Sequence, residues 1–354
     1  MAMKTRGTAG WTSAAARAAK LLPLSGLHPA VVGWAGARPR AEGWAVALSG
    51  GSDSVALLLL LWAHWPERRA RLTAFHFDHR LRGSESSADA AFCRKLCAAL
   101  GVTLVCGRWK DRRRSRSEGD ARGARFSFIE SEMALRRLRV LWLGHQLDDI
   151  AETMLMRLAR GSGAAGLAAP RAVHALAAAR AGGRPRIHVR PLLTLRKEEI
   201  AKALRVAGAP WREDSSNAGG AHFRNRLRRD VIPRWRRAAG RDALAGAALS
   251  RELLEEDEVA IEAWVDALEP IGEDGSLAVF RLAGRPRAVL RRALHRWLLT
   301  QPKAGDLSRQ GFQSLLRAVE LGVPARHSLG RHGFAVIRGG RLRFEKMRKS
   351  RTSH

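Results

Sequence analysis

Residues 44–65 read Trp-Ala-Val-Ala-Leu-Ser-Gly-Gly-Ser-Asp-Ser-Val-Ala-Leu-Leu-Leu-Leu-Leu-Trp-Ala-His-Trp. The run Trp44 to Leu48 suits a buried strand, and Ser54 to Trp65 is long and apolar enough for a core helix. Between them lies Ser49-Gly50-Gly51-Ser52-Asp53-Ser54. Two glycines let backbone approach an anion, while amides at the helix start and the hydroxyls of Ser49, Ser52 and Ser54 can donate to phosphate oxygens. No Lys follows the second Gly, so this is not the G-x-x-x-x-G-K-[ST] loop. A carboxylate beside a polyphosphate repels it unless it holds Mg²⁺ or an ammonium group, so Asp53 must have one of those tasks if phosphate binds here.

Outward from this stretch, apolar runs alternate with amphipathic segments. Leu72 to Phe77, Val102 to Val105 and Val140 to Leu143 read as further strands. Helices are expected over Ser87 to Leu100, Ala121 to Leu138 and Asp148 to Arg160. Strands alternating with helices predict an α/β fold, a parallel sheet with helices on both faces. Ligands of such sheets sit beyond the carboxyl ends of the strands, so the loops after Leu48, Phe77 and Leu143 should share one crevice.

At helical spacing, Leu147, Ile150, Ala151, Met154, Leu155 and Leu158 form an apolar stripe, and Asp148, Asp149 and Glu152 occupy the remaining arc. Acids in a first turn offset the macrodipole by about 0.3–1 kcal/mol each. Opening into the same crevice as Ser49 to Ser54, they also suit a cation. His76 and His145 lie at strand ends, as borders of a nucleotide pocket or as polar residues without chemistry.

The chain has 354 residues, 63 Lys and Arg against 33 Asp and Glu, and a net charge of +30. That length suits about two domains, and a 46% hydrophobic content excludes a disordered chain. The charge points to a polyanion, although only nine of the 63 basic residues are Lys and so Arg-rich a balance can reflect nucleotide bias. Local clustering is sharper. Phe223 to Arg237 holds seven arginines and one acid, Asp230, with Phe223 and Trp235 interleaved, which suits an RNA backbone clamp. Arg112 to Arg116 is a second basic run. Val55 to Trp62, the longest aliphatic stretch, is far short of the roughly 18 residues of a membrane span, so no transmembrane helix is expected. Three cysteines, Cys93, Cys97 and Cys106, without metal spacing suit core thiols in a reducing compartment.

The motif Ser49 to Ser54 resembles the PP-loop of the ATP pyrophosphatase superfamily. Three further segments resemble the tRNA(Ile)-lysidine synthetase family: His76 to Ser86; Leu143 to Thr153 continuing through Arg160 to Gly163; and Asp214 to Asn217 followed by Phe223 to Arg228 and Val231 to Pro233. The stretch containing Arg122, Arg125 and Phe126 is also similar. The resemblance implies that ATP, held with Mg²⁺ by Ser49 to Ser54, adenylates the wobble cytidine of a tRNA(Ile) bearing a CAU anticodon. Free L-lysine then displaces AMP. It implies that Asp53, Asp148, Asp149 and Glu152 carry the chemistry, with the proton-accepting carboxylate left open, and that Arg122, Arg125, Arg224, Asn225 and Arg228 contact RNA. A cytoplasmic ligase is expected, and a homodimer is left open. A PP-loop tRNA 2-thiolation enzyme and a noncatalytic RNA-binding protein are the alternatives. Ile150 stands where that family usually has Gln, Phe126 where Tyr is frequent and Pro170 where Met is common.

The expected organisation is a basic extension over 1–41, disordered or loosely docked, then a catalytic domain over 42–217 and a basic linker helix over 218–242. A smaller, mostly helical tRNA-binding domain follows over 243–354. Gly161 to Arg190 reads as a flexible or insertion-bearing stretch, and Arg190 to Asn217 as a last strand and helix ended by Pro210.

Overall fold

The computed structural model describes residues 8–79, 84–109, 118–176, 185–213, 223–301, 307–330 and 333–347. The chain divides into two units, Met1–Glu252 and Leu253–His354.

In the first unit, α1 (Thr8–Leu21) and α2 (Pro29–Gly36) precede β1 (Trp44–Ala47), α3 (Ser52–His64) and β2 (Leu72–Asp78). Then come α4 (Ser84–Leu100), β3 (Thr103–Arg108), α5 (Glu118–Leu135), β4 (Val140–Trp142), α6 (Leu147–Leu158) and α7 (Ala164–Leu167). Next are β5 (Val173–Leu176), β6 (Arg186–Val189), α8 (Lys197–Ala207), α9 (Phe223–Arg226) and α10 (Ile232–Ala238). The long α11 (Ala243–Leu268) crosses the division between the units.

The sheet order is β3-β2-β1-β4-β6-β5, parallel except for the edge pair β5 and β6. Alternation along the central strands separates two apolar layers. Trp44, Val46 and Trp142 enter one core with the Leu57–Leu61 run, and Ala45 and Leu141 enter another with Ile129 and Met133 of α5. Trp44 on β1 pairs with Leu72 on β2 and with Val140 on β4. The chain runs outward from β1 to β3 and then returns to β4 on the other side. This reversal makes β1/β4 the switch point where a parallel sheet opens a crevice.

Three expectations are corrected. Over its described residues the basic extension is not loosely docked: Trp11, Ala14, Ala15 and Ala18 of α1 are buried, the first three in the main core. Trp11 meets Phe92 edge-on at 6.0 Å, and Arg17 Nε donates to the carbonyl of Ala207 at 3.0 Å. Four small or aromatic residues at helical spacing supply an apolar stripe, and the surrounding basic residues conceal it in a composition count. The stretch from Gly161 contains α7, β5 and β6, with 177–184 outside the described residues. The last parallel strand lies at Arg186–Val189, before Arg190, and α8 stops at Gly208, whose φ of 66° caps it ahead of Pro210.

In the second unit, α12 (Arg287–Thr300) and α13 (Arg309–Leu321) accompany β7 (Leu277–Ala278), β8 (Ala325–Ser328), β9 (Gly333–Arg338) and β10 (Arg341–Lys346). The strands form an antiparallel sheet, order β7-β10-β9-β8. Trp297, Leu294, Leu315 and Leu342 lie in its separate core. The sequence showed the helical part better than the sheet, of which β7 is only two residues long.

Candidate active site

The turn after β1 is shaped by Gly50 at φ 94°, a conformation that favours glycine. Its amides divide into two sets. Ser49 N and Gly50 N donate to Ser54 Oγ at 3.1 and 3.2 Å, and Gly51 N donates to Ser49 Oγ at 3.3 Å. Ser54 Oγ in turn donates to the Gly51 carbonyl at 3.0 Å. The expected donation from the Ser54 hydroxyl to phosphate is corrected, since that hydroxyl donates to the Gly51 carbonyl, and the loop's own serines also satisfy its first three amides. What remains is the start of α3, where Gly51 is the N-cap and no side chain caps the helix. The amides of Ser52, Asp53 and Ser54 therefore face whatever anion enters, with the helix dipole behind them.

The loop after β4 comes very close. A Cβ on Gly144 would stand 2.9 Å from the Asp53 carbonyl oxygen, so only glycine lets the two turns touch. Beyond it, Gln146 caps α6 in a capping box. Its Oε1 accepts from Asp148 N at 2.6 Å, and Asp149 Oδ2 accepts from Gln146 N at 3.0 Å.

The structure separates the three acids of α6. Asp148 turns outward and accepts from the Lys197 amide at the start of α8, at 3.0 Å. Asp149 and Glu152 are buried and meet two arginines of the segment after α8. Arg224 reaches Glu152 Oε2 at 2.6 Å and Asp149 Oδ1 at 2.5 Å. Arg228 also pairs with Glu152 and reaches Asp149 Oδ1 at 3.2 Å. The expected set of three co-directed carboxylates becomes a buried pair plus one outlier, and two arginines expected on RNA face inward. A linear pattern places charges on an arc without naming their partners.

Electrostatics ties this pair to the turn. Burial raises Asp53 to about 6, with the Asp149 charge adding to the rise and Lys197 and Arg228 opposing it. Burial would also raise Asp149, but Arg224, the Gln146 amide and Arg228 hold it below the usual carboxylate range. Asp53 thus carries a costly negative charge at neutral pH, next to an open helix N-terminus. That suits a carboxylate waiting for a cation that arrives with a phosphate ligand.

The remaining expected residues are more scattered. His76 is buried on β2, with Nδ1 3.0 Å from the Leu48 carbonyl, so it braces the strand end from which the turn departs. His145 accepts from Arg190 Nε at 3.1 Å, and burial lowers it to about 3, leaving a neutral ring beside Asp149. Arg122 and Arg125 stand over the Phe126 ring at 5.1 and 5.5 Å, and Phe126 lies 5.7 Å from His188. Asn225 lies on α9 between the two inward arginines. Cys93 and Cys97 are core thiols, as expected, but Cys106 is exposed. The segments Arg80 to Gly83, Arg112 to Arg116 and Asp214 to Asn217 lie outside the described residues.

Sequence reading missed Gly144, Gln146 and Arg212. Arg212 holds the turn from behind: its amide donates to the Gly50 carbonyl at 2.9 Å, and its guanidinium pairs with Asp89 at 2.7 Å. Gly144 and Gln146 stood inside a quoted motif and could have been weighed by their positions at a strand end and an N-cap. Arg212 carried no local signal.

A family model described as a PP-loop domain matches residues 33–235. The tRNA(Ile)-lysidine synthase of Geobacter sulfurreducens is 36% identical over 281 residues, covering 75% of this chain and 56% of that protein. That of Symbiobacterium thermophilum is 35% identical over 317 residues, covering 84% and 62%. That of Hyphomonas neptunium is 36% identical over 277 residues, covering 78% and 72%. This chain therefore spans less than two thirds of the first two relatives. A U34-tRNA thiolase from Methanococcus maripaludis aligns with TM-score 0.49 and 17% identity over 68% of this chain and 78% of that one, too slight a likeness to bear on chemistry.

Proposed function

The chain belongs to the tRNA(Ile)-lysidine synthase family of PP-loop proteins, and on that premise we propose that it uses ATP to join free L-lysine to the wobble cytidine of a CAU-anticodon tRNA(Ile). The observation that carries this reading is the contact of the two turns at Gly144 and Asp53, which sets an open helix N-terminus beside the buried acids of α6.

The amides of Ser52, Asp53 and Ser54 hold the pyrophosphate end of ATP, and the helix dipole favours the charge that grows there as the bond to the α-phosphorus breaks. Asp53 is the one carboxylate in the turn and suits Mg²⁺, which usually takes one or two protein carboxylates together with substrate phosphates. When bound, Mg²⁺ neutralises the departing pyrophosphate. The AMP moiety passes to the C2 oxygen of cytidine, making that carbon electrophilic. The lysine amine then attacks, and AMP leaves. Asp149 and Glu152 orient the amine, with Arg224 and Arg228 balancing their charge when no ammonium is present. One of these two carboxylates takes the proton that the attacking amine gives up.

Two of the three cysteines do not suit the thiolation alternative: burial raises Cys93 strongly and Cys97 to about 12, so neither is a thiolate at neutral pH. Residues 243–354 are proposed to bind tRNA. None of the helices among the described residues is long and apolar enough to cross a membrane. Incubation with ATP, CAU-anticodon tRNA and radiolabelled lysine should label the RNA. Label entering RNA only from a sulfur donor would refute the reading.

A further inference from the structure

Apart from the crevice, the first unit holds a cavity of about 530 Å³ lined by Arg196, Pro233, Arg236, Arg237, Arg241, Asp242 and Ala243. We propose that this cavity is a second phosphodiester site, which seats the sugar-phosphate backbone of the tRNA beside the catalytic crevice. The proposal rests on the RNA-modifying function above and adds a binding site to it.

Four arginines and one acid surround the cavity. Asp242 is already committed: it pairs with Arg196 and accepts from Ala245 N at 3.2 Å at the start of α11. Among the described residues Arg236 pairs with Glu198 alone, at 3.9 Å, a solvated contact of little strength. Among the described residues no carboxylate pairs with Arg237 or Arg241. Gly240, at φ 61°, ends α10 and turns the chain, so that Arg241 and the N-terminus of α11 come back beside Arg237. Like charges gathered around one concavity repel each other until an anion enters.

The lining also tells which part of a nucleic acid fits. It offers guanidinium forks, which match phosphate oxygens. It offers no aromatic ring on which a base could stack, and no uncommitted acceptor to read a base edge. The ligand is therefore a charged backbone without sequence preference. Its position fits a long substrate. Arg196 adjoins Lys197, whose amide holds Asp148, and Leu195 accepts from Leu147 N at 2.9 Å. The cavity wall is thus bonded to the first turn of the helix that carries Asp149 and Glu152.

The test uses the full chain with Arg237→Gln and Arg241→Gln together, both at exposed positions. Binding of the tRNA is measured from low to high salt, alongside ATP binding, the thermal midpoint and lysine transfer. The double variant should bind tRNA about tenfold more weakly at physiological salt. The slope of log K against log salt should flatten by about 1.5, the loss of two phosphate contacts. ATP binding and Tm should stay at wild-type values. The same loss is expected for a tRNA with an altered stem sequence, and Arg→Lys at both positions should restore the slope. An unchanged affinity and slope in an otherwise lysine-transferring protein would overturn the site, as would a loss that depends on stem sequence. A wild-type chain that neither binds nor labels tRNA would instead overturn the function itself.

Discussion

Arg224 and Glu152 are 72 positions apart in the chain, yet Nε of one lies 2.6 Å from Oε2 of the other. The carboxylate is buried, and two guanidiniums face it. Glu152→Gln is expected to destabilise the protein by about 3 kcal/mol, because Arg224 and Arg228 would then share only Asp149. Combining it with Arg224→Met should cost less than the sum, with a coupling of about 1–3 kcal/mol. Urea denaturation of the four proteins in the cycle measures this, and additivity would show that the contact is not formed in solution.

Asp53 ionises near 3.8 in a free chain and at about 6 in the folded one. Between those values the native state holds the extra proton, so its stability falls as pH rises from 4 to 6 and stays lower above. Asp53→Asn should raise stability at pH 8 by about 1–2 kcal/mol, after allowing for solvent, and should leave it unchanged near pH 4. The same variant should lose tRNA-dependent ATP/pyrophosphate exchange. A stabilised variant with normal exchange would remove Asp53 from the site.

Gly144→Ala forces a methyl group against Asp53 main-chain atoms at 2.9 and 3.0 Å. A loss of about 1–3 kcal/mol is expected from the strain, with ATP affinity falling as the helix start is pushed out of line. Gly33→Ala in α2, where a Cβ meets nothing within 4 Å, serves as the control and should be neutral or slightly stabilising. Calorimetry and nucleotide titration distinguish the two.

Burial holds the Cys93 thiol far above its ordinary range and pushes Cys97 to about 12, whereas Cys106 is exposed. Iodoacetamide at pH 8 should therefore modify Cys106 first and leave the other two until the protein unfolds. Lysine transfer should survive Cys106→Ser. Its loss would revive sulfur chemistry at this site.

The turn at Ser49 to Ser54 shows why part of the site was legible. Its residues are contiguous, and a strand followed by a glycine turn and a helix start is a local instruction. The same holds for the strand and helix alternation and for the stripe that buries Ile150 and Ala151 and leaves an acidic arc. The division of the loop amides was not legible, because Ser54 Oγ can turn inward or outward with no change in sequence. Nor was the packing of α1, since Trp11 finds Phe92 only after the α4 surface exists.

The amino-acid order alone determined the parallel α/β framework, the glycine turn between β1 and α3 and the presence of acids on one helix, because each follows from periodicity or from neighbours within a few residues. Tertiary structure decided which charges meet. It sent Asp148 to the Lys197 amide, gave Asp149 and Glu152 to Arg224 and Arg228, and left Arg237 and Arg241 around an open cavity. Electrostatic partnership depends on distance in space and on burial, and neither quantity is defined until the chain has folded.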